Sequence, residues 1–229
     1  MCGRFSLRAR NAAILAEYFG IVKVPLLKDR YNIAPTQGVP VVRLNPGQSQ
    51  AQNEMVILRW GLIPSWAKEP GLGNRMINAR AETLAEKPAF RTALNRRRCL
   101  IVADGFYEWQ VAGRSKQPYF FHFRDDRPFA FAGLWDTWEG PDHSAIESCT
   151  IITTEASDLV RPIHDRMPVI LPTDNYQIWL DPALNTFEEL SDLLVPFSSD
   201  EMEAYEISTL VNKPMHDGPE CIEPLQKLI

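Results

Sequence analysis

The sequence predicts an α+β domain with a barrel-like, mostly antiparallel β core and flanking helices. Three observations carry that expectation. Apolar β-type runs are short and numerous, and several are apolar at both even and odd positions, as in strands buried on both faces. Helical patterns are fewer and fall at irregular intervals between those runs. The 18 prolines, often flanking the β-type runs, set ordered loops between elements.

In chain order, residues 8–19 place Ile14, Leu15, Tyr18 and Phe19 on one helical face, with Gly20 as the stop. β-type runs follow at 39–44 and 55–60. A second helix is expected over 81–94, broken or kinked at Pro88. Further β-type runs lie at 99–103, 119–123, 129–134, 149–153 and 169–171. Two short helices are expected near 174–180 and 186–194, and a last strand over 205–208. No internal repeat, low-complexity tract or Gly/Ser linker divides the chain, so residues 1–229 read as one domain.

At 229 residues and 45% hydrophobic, the chain can bury one sizeable core. It has no run of about 18 apolar residues, so no membrane span is expected. The N-terminus lacks the charged, apolar, then small-residue order of a secretory signal, and a cleaved signal would discard Cys2. The four cysteines (Cys2, Cys99, Cys149, Cys221) show no CxxC pair and no His at ligand spacing. Neither a disulfide framework nor a metal site is suggested, and a reducing cytosol fits.

Net charge is −5, yet residues 1–100 carry 16 Lys and Arg against 6 Asp and Glu, and the remainder 8 against 23. Arg outnumbers Lys by 17 to 7. Arg grips phosphate bidentately and stacks on flat rings, where Lys offers a point charge. A basic half beside an acidic half is compatible with a phosphate-binding face, although halves of a sequence need not be faces of a fold.

Cys2 follows the initiator methionine in Met1-Cys2-Gly3-Arg4. Aminopeptidases remove Met1 when the second residue is small, which would leave Cys2 with a free amine and a thiol on adjacent carbons. Their unperturbed pKa values, roughly 7.7–8.0 and about 8.5, give both reactive fractions near neutrality. Such an aminothiol attacks an aldehyde twice: nitrogen forms an imine, then sulfur closes a five-membered thiazolidine. An internal cysteine cannot do this, because its nitrogen is an amide. Chance placement of a cysteine at position 2 is the plainer alternative.

Other residues carry weaker signals. Glu108, in Gly105-Phe106-Tyr107-Glu108-Trp109 after an apolar strand, sits between aromatics; desolvation there would make it an acid or base near neutrality, unless it is a surface Glu on a turn. His164, held between Pro162 and Pro168, is a proton-transfer candidate, or a structural histidine, with Arg166 beside it as a phosphate ligand. Asn78 could orient the N-terminal amine or merely cap a turn. Arg80, near a helix start, would add to an anion site. Arg96-Arg97-Arg98 reads as a solvated face. Trp66 and Trp109 would stack on unpaired bases if exposed, for about 1–3 kcal/mol each; Trp60 reads as core.

Together and in order, these segments resemble the SOS response-associated peptidase (SRAP) family. The matching motifs are Met1-Cys2-Gly3-Arg4, Tyr31-Asn32-Ile33-Ala34-Pro35-Thr36, Trp60-Gly61-Leu62-Ile63-Pro64, Ile77-Asn78-Ala79-Arg80-Ala81-Glu82, Gly105-Phe106-Tyr107-Glu108-Trp109 and Ile163-His164-Asp165-Arg166-Met167-Pro168. Phe131-Ala132-Gly133-Leu134-Trp135 and Val211-Asn212-Lys213-Pro214 extend the match to about residue 214. The resemblance implies one compact domain that senses abasic sites in single-stranded DNA and captures them covalently through Cys2. It implies that Cys2 is the nucleophile, that Asn78 positions it, that Glu108 shuttles protons and that His164 assists sugar opening. It further implies that Arg4, Arg80 and Arg166 hold phosphates, and that Pro35 and Trp109 pack against flanking bases. Weak lyase activity and self-processing at Met1 would follow, with no cofactor or metal, in a monomer without a membrane partner.

Two rival readings differ in class. Class-II glutamine amidotransferases also begin Met-Cys-Gly and use the N-terminal amine as base for the thiol, but the Asn-Gly elements that hold glutamine are not found here. A non-catalytic single-strand binder would use the Arg and Trp residues alone, and Cys2→Ala would leave it intact.

Overall fold

The computed structural model describes residues 2–9, 12–45, 52–113 and 115–225. In chain order the strands are β1 (Phe5–Leu7), β2 (Arg30–Ile33), β3 (Gly38–Leu44), β4 (Asn53–Trp60), β5 (Asn78–Arg80), β6 (Arg98–Ala103), β7 (Gly105–Ala112), β8 (Ser115–Phe123), β9 (Phe129–Glu139), β10 (Ala145–Glu155), β11 (Arg166–Pro168), β12 (Ile170–Leu171) and β13 (Met202–Glu206). The helices are α1 (Ala12–Phe19), α2 (Pro88–Arg96), α3 (Tyr176–Leu180) and α4 (Phe187–Leu190).

One sheet closes on itself. Strand β10 pairs with β4, β4 with β3, β3 with β6, β6 with β9, and β9 returns to β10, giving a five-strand barrel. Closure leaves these strands no free edges, and it explains the runs apolar at both parities: β6 is buried along its whole length. The ladders are antiparallel except where β10 meets β4 and β5.

The long strand β10 organises what lies beyond the barrel. Its Ser148 and Cys149 pair with β4, and its Ile151–Thr153 stretch pairs with β5. On the other side β9 gives way to β11, with Thr153 opposite Pro168 and Glu155 opposite Arg166. Thr153 therefore has Arg80 on one flank and Pro168 on the other.

The chain leaves β4 through Gly61, at φ +127, where an added Cβ would meet the Gly73 carbonyl oxygen at 2.6 Å. Only glycine fits that crossing. The Leu62 amide then donates to Met76 O at 3.0 Å and the Trp60 indole to Ile77 O at 2.9 Å, which delivers the chain into β5.

A second, five-stranded sheet runs β13-β8-β7-β1-β2. Its aromatic residues knit it to the barrel: Phe5 lies edge-on to Trp60 and Phe131, at 5.1 and 5.7 Å, and Phe106 lies 6.2 Å from Phe131. Contacts of this kind add about 0.5–1.5 kcal/mol beyond burial.

The helices flank the barrel and depart in detail from expectation. Helix α1 buries Leu15 and Phe19, with Phe19 stacked on Tyr176 at 5.4 Å, but Ile14 faces outward. Of the expected 8–19 helix, Arg10 and Asn11 lie outside the described residues, and Arg8 is held in the preceding loop by Asp104 at 2.6 Å. Residues 81–94 are not one kinked helix. A short 3-10 turn (Ala81–Thr83) is followed by α2, which begins at Pro88, where a missing N–H costs nothing. Arg98 corrects the reading of a solvated basic face: it is buried against Trp179 and donates to the Trp179 and Leu94 carbonyls. Strands β1, β2, β5 and β11 are too short to register as periodic runs. Among the described residues no helix is long and apolar enough to cross a membrane.

Candidate active site

The pairing of β1 with β7 runs past Phe5 opposite Phe106: the Tyr107 amide donates to Arg4 O at 3.1 Å. That register lays residues 2–4 alongside the middle of β7. Cys2 is wholly buried, its thiol 3.8 Å from Arg4 O. Successive residues of β7 face opposite sides. Phe106 and Glu108 face the main core, where Phe106 stacks on Phe121 at 4.8 Å. Tyr107 and Trp109 face a satellite cluster with Phe120, Ile207, Val211 and Cys221.

Glu108 is thus a mid-strand residue of a buried face rather than a turn residue. Burial raises its pKa from 4.5 to about 7. The Cys2 thiol is pushed far up, first by burial and then by the negative charge of Glu108. With Met1 in place the Cys2 nitrogen is an amide, and burial keeps its sulfur protonated. Met1 lies outside the described residues.

Asn78 opens β5, and its Nδ2 donates to Cys2 O at 2.8 Å. Its Oδ1 is buried and has no hydrogen-bond donor among the described residues. Arg80, two residues on, is exposed.

His164 sits in a turn between the end of β10 and β11. The Arg166 backbone N–H donates to its Nδ1 at 3.0 Å, and Asp165 Oδ1 lies 2.9 Å from the same nitrogen. Burial lowers its pKa, so the neutral ring that accepts from Arg166 is the favoured form, with the proton on Nε2. The Gln110 amide donates to Pro162 O at 3.0 Å, tying this loop to β7.

Arg166, expected to hold a phosphate, is paired within the protein. Its guanidinium pairs bidentately with Glu82, at 2.7 and 3.0 Å, and donates to Thr153 O at 2.6 Å. Those donors are occupied within the protein.

A cleft of about 480 Å³ opens here, lined by Gly3, Arg4, Glu108, Trp109, Lys116, His164 and Asn212. Arg4 donates to Asn32 Oδ1, Val211 O and Asn212 O, all neutral oxygens, so these contacts leave its positive charge uncompensated. Asn32 Nδ2 in turn donates to Val211, Lys213 and His216 carbonyls. The 211–214 segment is thereby fixed to the cleft wall, and Asn212 Oδ1 accepts from the Trp109 indole at 2.7 Å.

The structure brings Arg4, Glu108, Trp109 and His164 to one cleft, with Cys2 and Asn78 joined behind it. Pro35 and Trp66 do not line it. Pro35 lies in a turn pinned by the Thr36 amide to Trp60 O at 2.8 Å, and Trp66 projects from its loop. Lys116 and Asn212 were missed. Asn212 carried a signal, since it lies in a quoted motif; Lys116, paired with Val111 across the β7–β8 hairpin, carried none. Among the described residues no group of three or more His, Cys, Asp or Glu side chains is placed to hold a metal ion.

Comparison with known proteins bears on this arrangement. The family model described as SOS response associated peptidase (SRAP) matches residues 1–214. The abasic site processing protein YoqW of Bacillus subtilis is 44% identical over 226 residues, covering 97% of this chain and 99% of that protein. The abasic site processing protein HMCES of Gallus gallus is 35% identical, covering 99% of this chain and 78% of its own. A crystal structure of a protein from Bacteroides thetaiotaomicron, 28% identical, superposes with a TM-score of 0.85 over 98% of this chain and 100% of its own. On the evidence of sequence, fold and length together, the chain belongs to the SOS response associated peptidase family.

Proposed function

We propose that this protein processes abasic sites in single-stranded DNA by covalent capture through Cys2, once Met1 has been released by hydrolysis. The observation that carries the reading is the register of β1 on β7, which lays the segment from Cys2 to Arg4 alongside Glu108, a buried carboxyl whose pKa is raised to about 7. A group titrating there both takes and returns protons at physiological pH.

The steps balance as a net loss of one water from the open-chain sugar. The Cys2 amine adds to the aldehyde carbon of the deoxyribose, and the carbinolamine expels hydroxide, protonated by Glu108, to leave an imine. The thiol then adds to the imine carbon; its proton passes by way of Glu108 to the nitrogen, and the thiazolidine closes. His164, carrying its proton on Nε2, donates a hydrogen bond to the ring oxygen as the closed sugar opens; the anomeric hydroxyl gives its proton to Glu108, which returns it to the ring oxygen, so the opening is proton-neutral. Asn78 holds Cys2 by its carbonyl, and its donor-less Oδ1 is available to accept from the freed amine. An imine that fails to close exposes the 3′ side to β-elimination, which accounts for weak lyase activity.

Arg4, Arg80 and Lys116 supply positive charge to the strand, and Trp109 an aromatic face for a flanking base. Pro35 and Trp66 contact the strand only beyond the cleft. Intact mass spectrometry after mixing with an abasic single-stranded oligonucleotide tests the reading. The expected product is the sum of protein without Met1 and DNA, less one water, and it is absent in Cys2→Ala. A heat-stable adduct of protein and DNA less one water formed by Cys2→Ala would overturn the assignment. Glutaminase activity without any adduct would favour the amidotransferase alternative.

A further inference from the structure

Two groups compete for one atom in the turn 164–166. His164 Nδ1 lies 3.0 Å from the Arg166 backbone nitrogen, whose N–H donates to it, and 2.9 Å from Asp165 Oδ1. The two contacts need the ring proton in different places. A neutral ring with its proton on Nε2 accepts from the amide, whereas a ring protonated on Nδ1 donates to the carboxylate and must give the amide up. Which state prevails depends on where the residue 166 amide points, which the pairing of Arg166 with Glu155 in the β10–β11 ladder and the side-chain anchor of Arg166 set together.

The anchor is unusually well defined. Glu82 accepts from both terminal guanidinium nitrogens of Arg166, and Thr153 O accepts from one of them. A bidentate pair fixes the plane and direction of the guanidinium, which a single contact does not. Arg166 Nε is buried with no acceptor among the described residues, so these partners hold the head group. Glu82 lies just past β5, two residues from Arg80, and Thr153 is flanked by Arg80 and Pro168. The pair therefore crosses the end of β10 and links the segment bearing Asn78 to the turn bearing His164. Hydrogen bonds from Arg166 hold the Glu82 carboxyl below its usual range, as expected if the pair persists.

We propose that Glu82 is a positioning residue: through Arg166 it fixes the turn 164–166 and so presents His164 with Nδ1 accepting and Nε2 bearing the proton. The proposal rests on the capture reading for its kinetic consequence, but its structural content stands apart from it. The charged and titratable groups around the ring are the N-terminal amine, whose positive charge disfavours protonation, Asp165 on its own turn, Glu108 on β7, Lys116 on β8 and Arg4 ahead of β1. Substituting Glu82 alters none of these. Loss of the Glu82 charge alone leaves Arg166 uncompensated and disfavours protonation of His164. Loss of the amide contact to Nδ1 acts in the opposite sense, releasing the nitrogen to Asp165. The sign of the change separates the two.

The test uses the full chain labelled with 15N-histidine, with His164→Gln assigning the His164 resonances among the four histidines. The wild type should show the Nε2–H tautomer. In Glu82→Ala and Glu82→Gln the protonation midpoint of His164 should rise by about half a pH unit, a threefold change in the ratio of forms. Glu82→Asp, which keeps a carboxylate for Arg166, should restore much of the wild-type behaviour. Capture of an abasic oligonucleotide should slow about tenfold in Glu82→Ala, a fraction of what a general acid contributes, while affinity for a tetrahydrofuran-containing strand that cannot react stays within about threefold. An unchanged or lowered midpoint with the wild-type tautomer retained overturns the proposal. If the wild type itself fails to capture, the functional reading falls, and the histidine spectra still decide the role of Glu82.

Discussion

The Asn78 side-chain amide donates to the Cys2 carbonyl at 2.8 Å, joining residues 76 apart in sequence. The contact exists because β5 takes over from β4 as the parallel neighbour of β10, and because β1 and β7 pair past Phe5. It holds the N-terminal segment to a short strand that continues the pairing of β10 beyond the barrel.

Removing that contact separates positioning from folding. Asn78→Ala should cost about 1 kcal/mol of stability, the net worth of one hydrogen bond. Capture should slow by about tenfold to a hundredfold, because a displaced nucleophile loses far more than the bond itself. Urea denaturation and a single-turnover time course measure the two; equal, small effects on both would argue against a role for Asn78 at the reacting atoms.

Glu108 makes a prediction about stability and pH. Its folded pKa, about 7, lies above the ordinary 4.5. Between those values the folded state binds more protons than the unfolded one, so stability is fully present below pH 4.5 and declines as pH rises through 7. The decline attributable to this group is at most about 3.5 kcal/mol, from 1.36 kcal/mol per pKa unit. Glu108→Gln should remove it, stabilising the protein at pH 8 while abolishing rapid capture. A pH–stability curve that is the same with and without the carboxyl would show that the residue is not held in this environment.

Arginines 80 and 166 should behave differently toward salt. Arg80 is exposed, and Arg166 is committed to Glu82. Arg80→Ala should reduce the slope of log affinity against log salt by about 0.7, the expectation for one phosphate contact on a single strand. Arg166→Ala should leave the slope nearly unchanged but slow capture. Fluorescence anisotropy from low to moderate salt gives both slopes, and a loss for Arg166→Ala as large as that for Arg80→Ala contradicts the assignment.

Gly61→Ala should destabilise by more than about 2 kcal/mol, through positive φ and backbone overlap together. The residue turns at φ +127 with its α-carbon against the Gly73 carbonyl. Thermal unfolding checks this, and a Tm within a degree of wild type would mean that the crossing can relax.

Sequence alone determined the class of fold, the central parts of the main barrel strands, and the kinds of chemistry available. Periodicity and residue type are local properties: the buried parity of β6, the stop at Gly20 and the aminothiol potential of Cys2 follow from neighbours in the chain. Only the tertiary structure decided barrel closure through β9 and β10, the parallel neighbours of β10, and the side of β7 that Glu108 faces. It also decided that Arg98 is core and that Arg166 pairs with Glu82, which composition cannot reveal. An arginine's partner is set by which strand ends meet, and that depends on registers between segments dozens of residues apart. The same holds for the carboxyl of Glu108: its pKa is a property of what surrounds it in space, and no spacing along the chain encodes that.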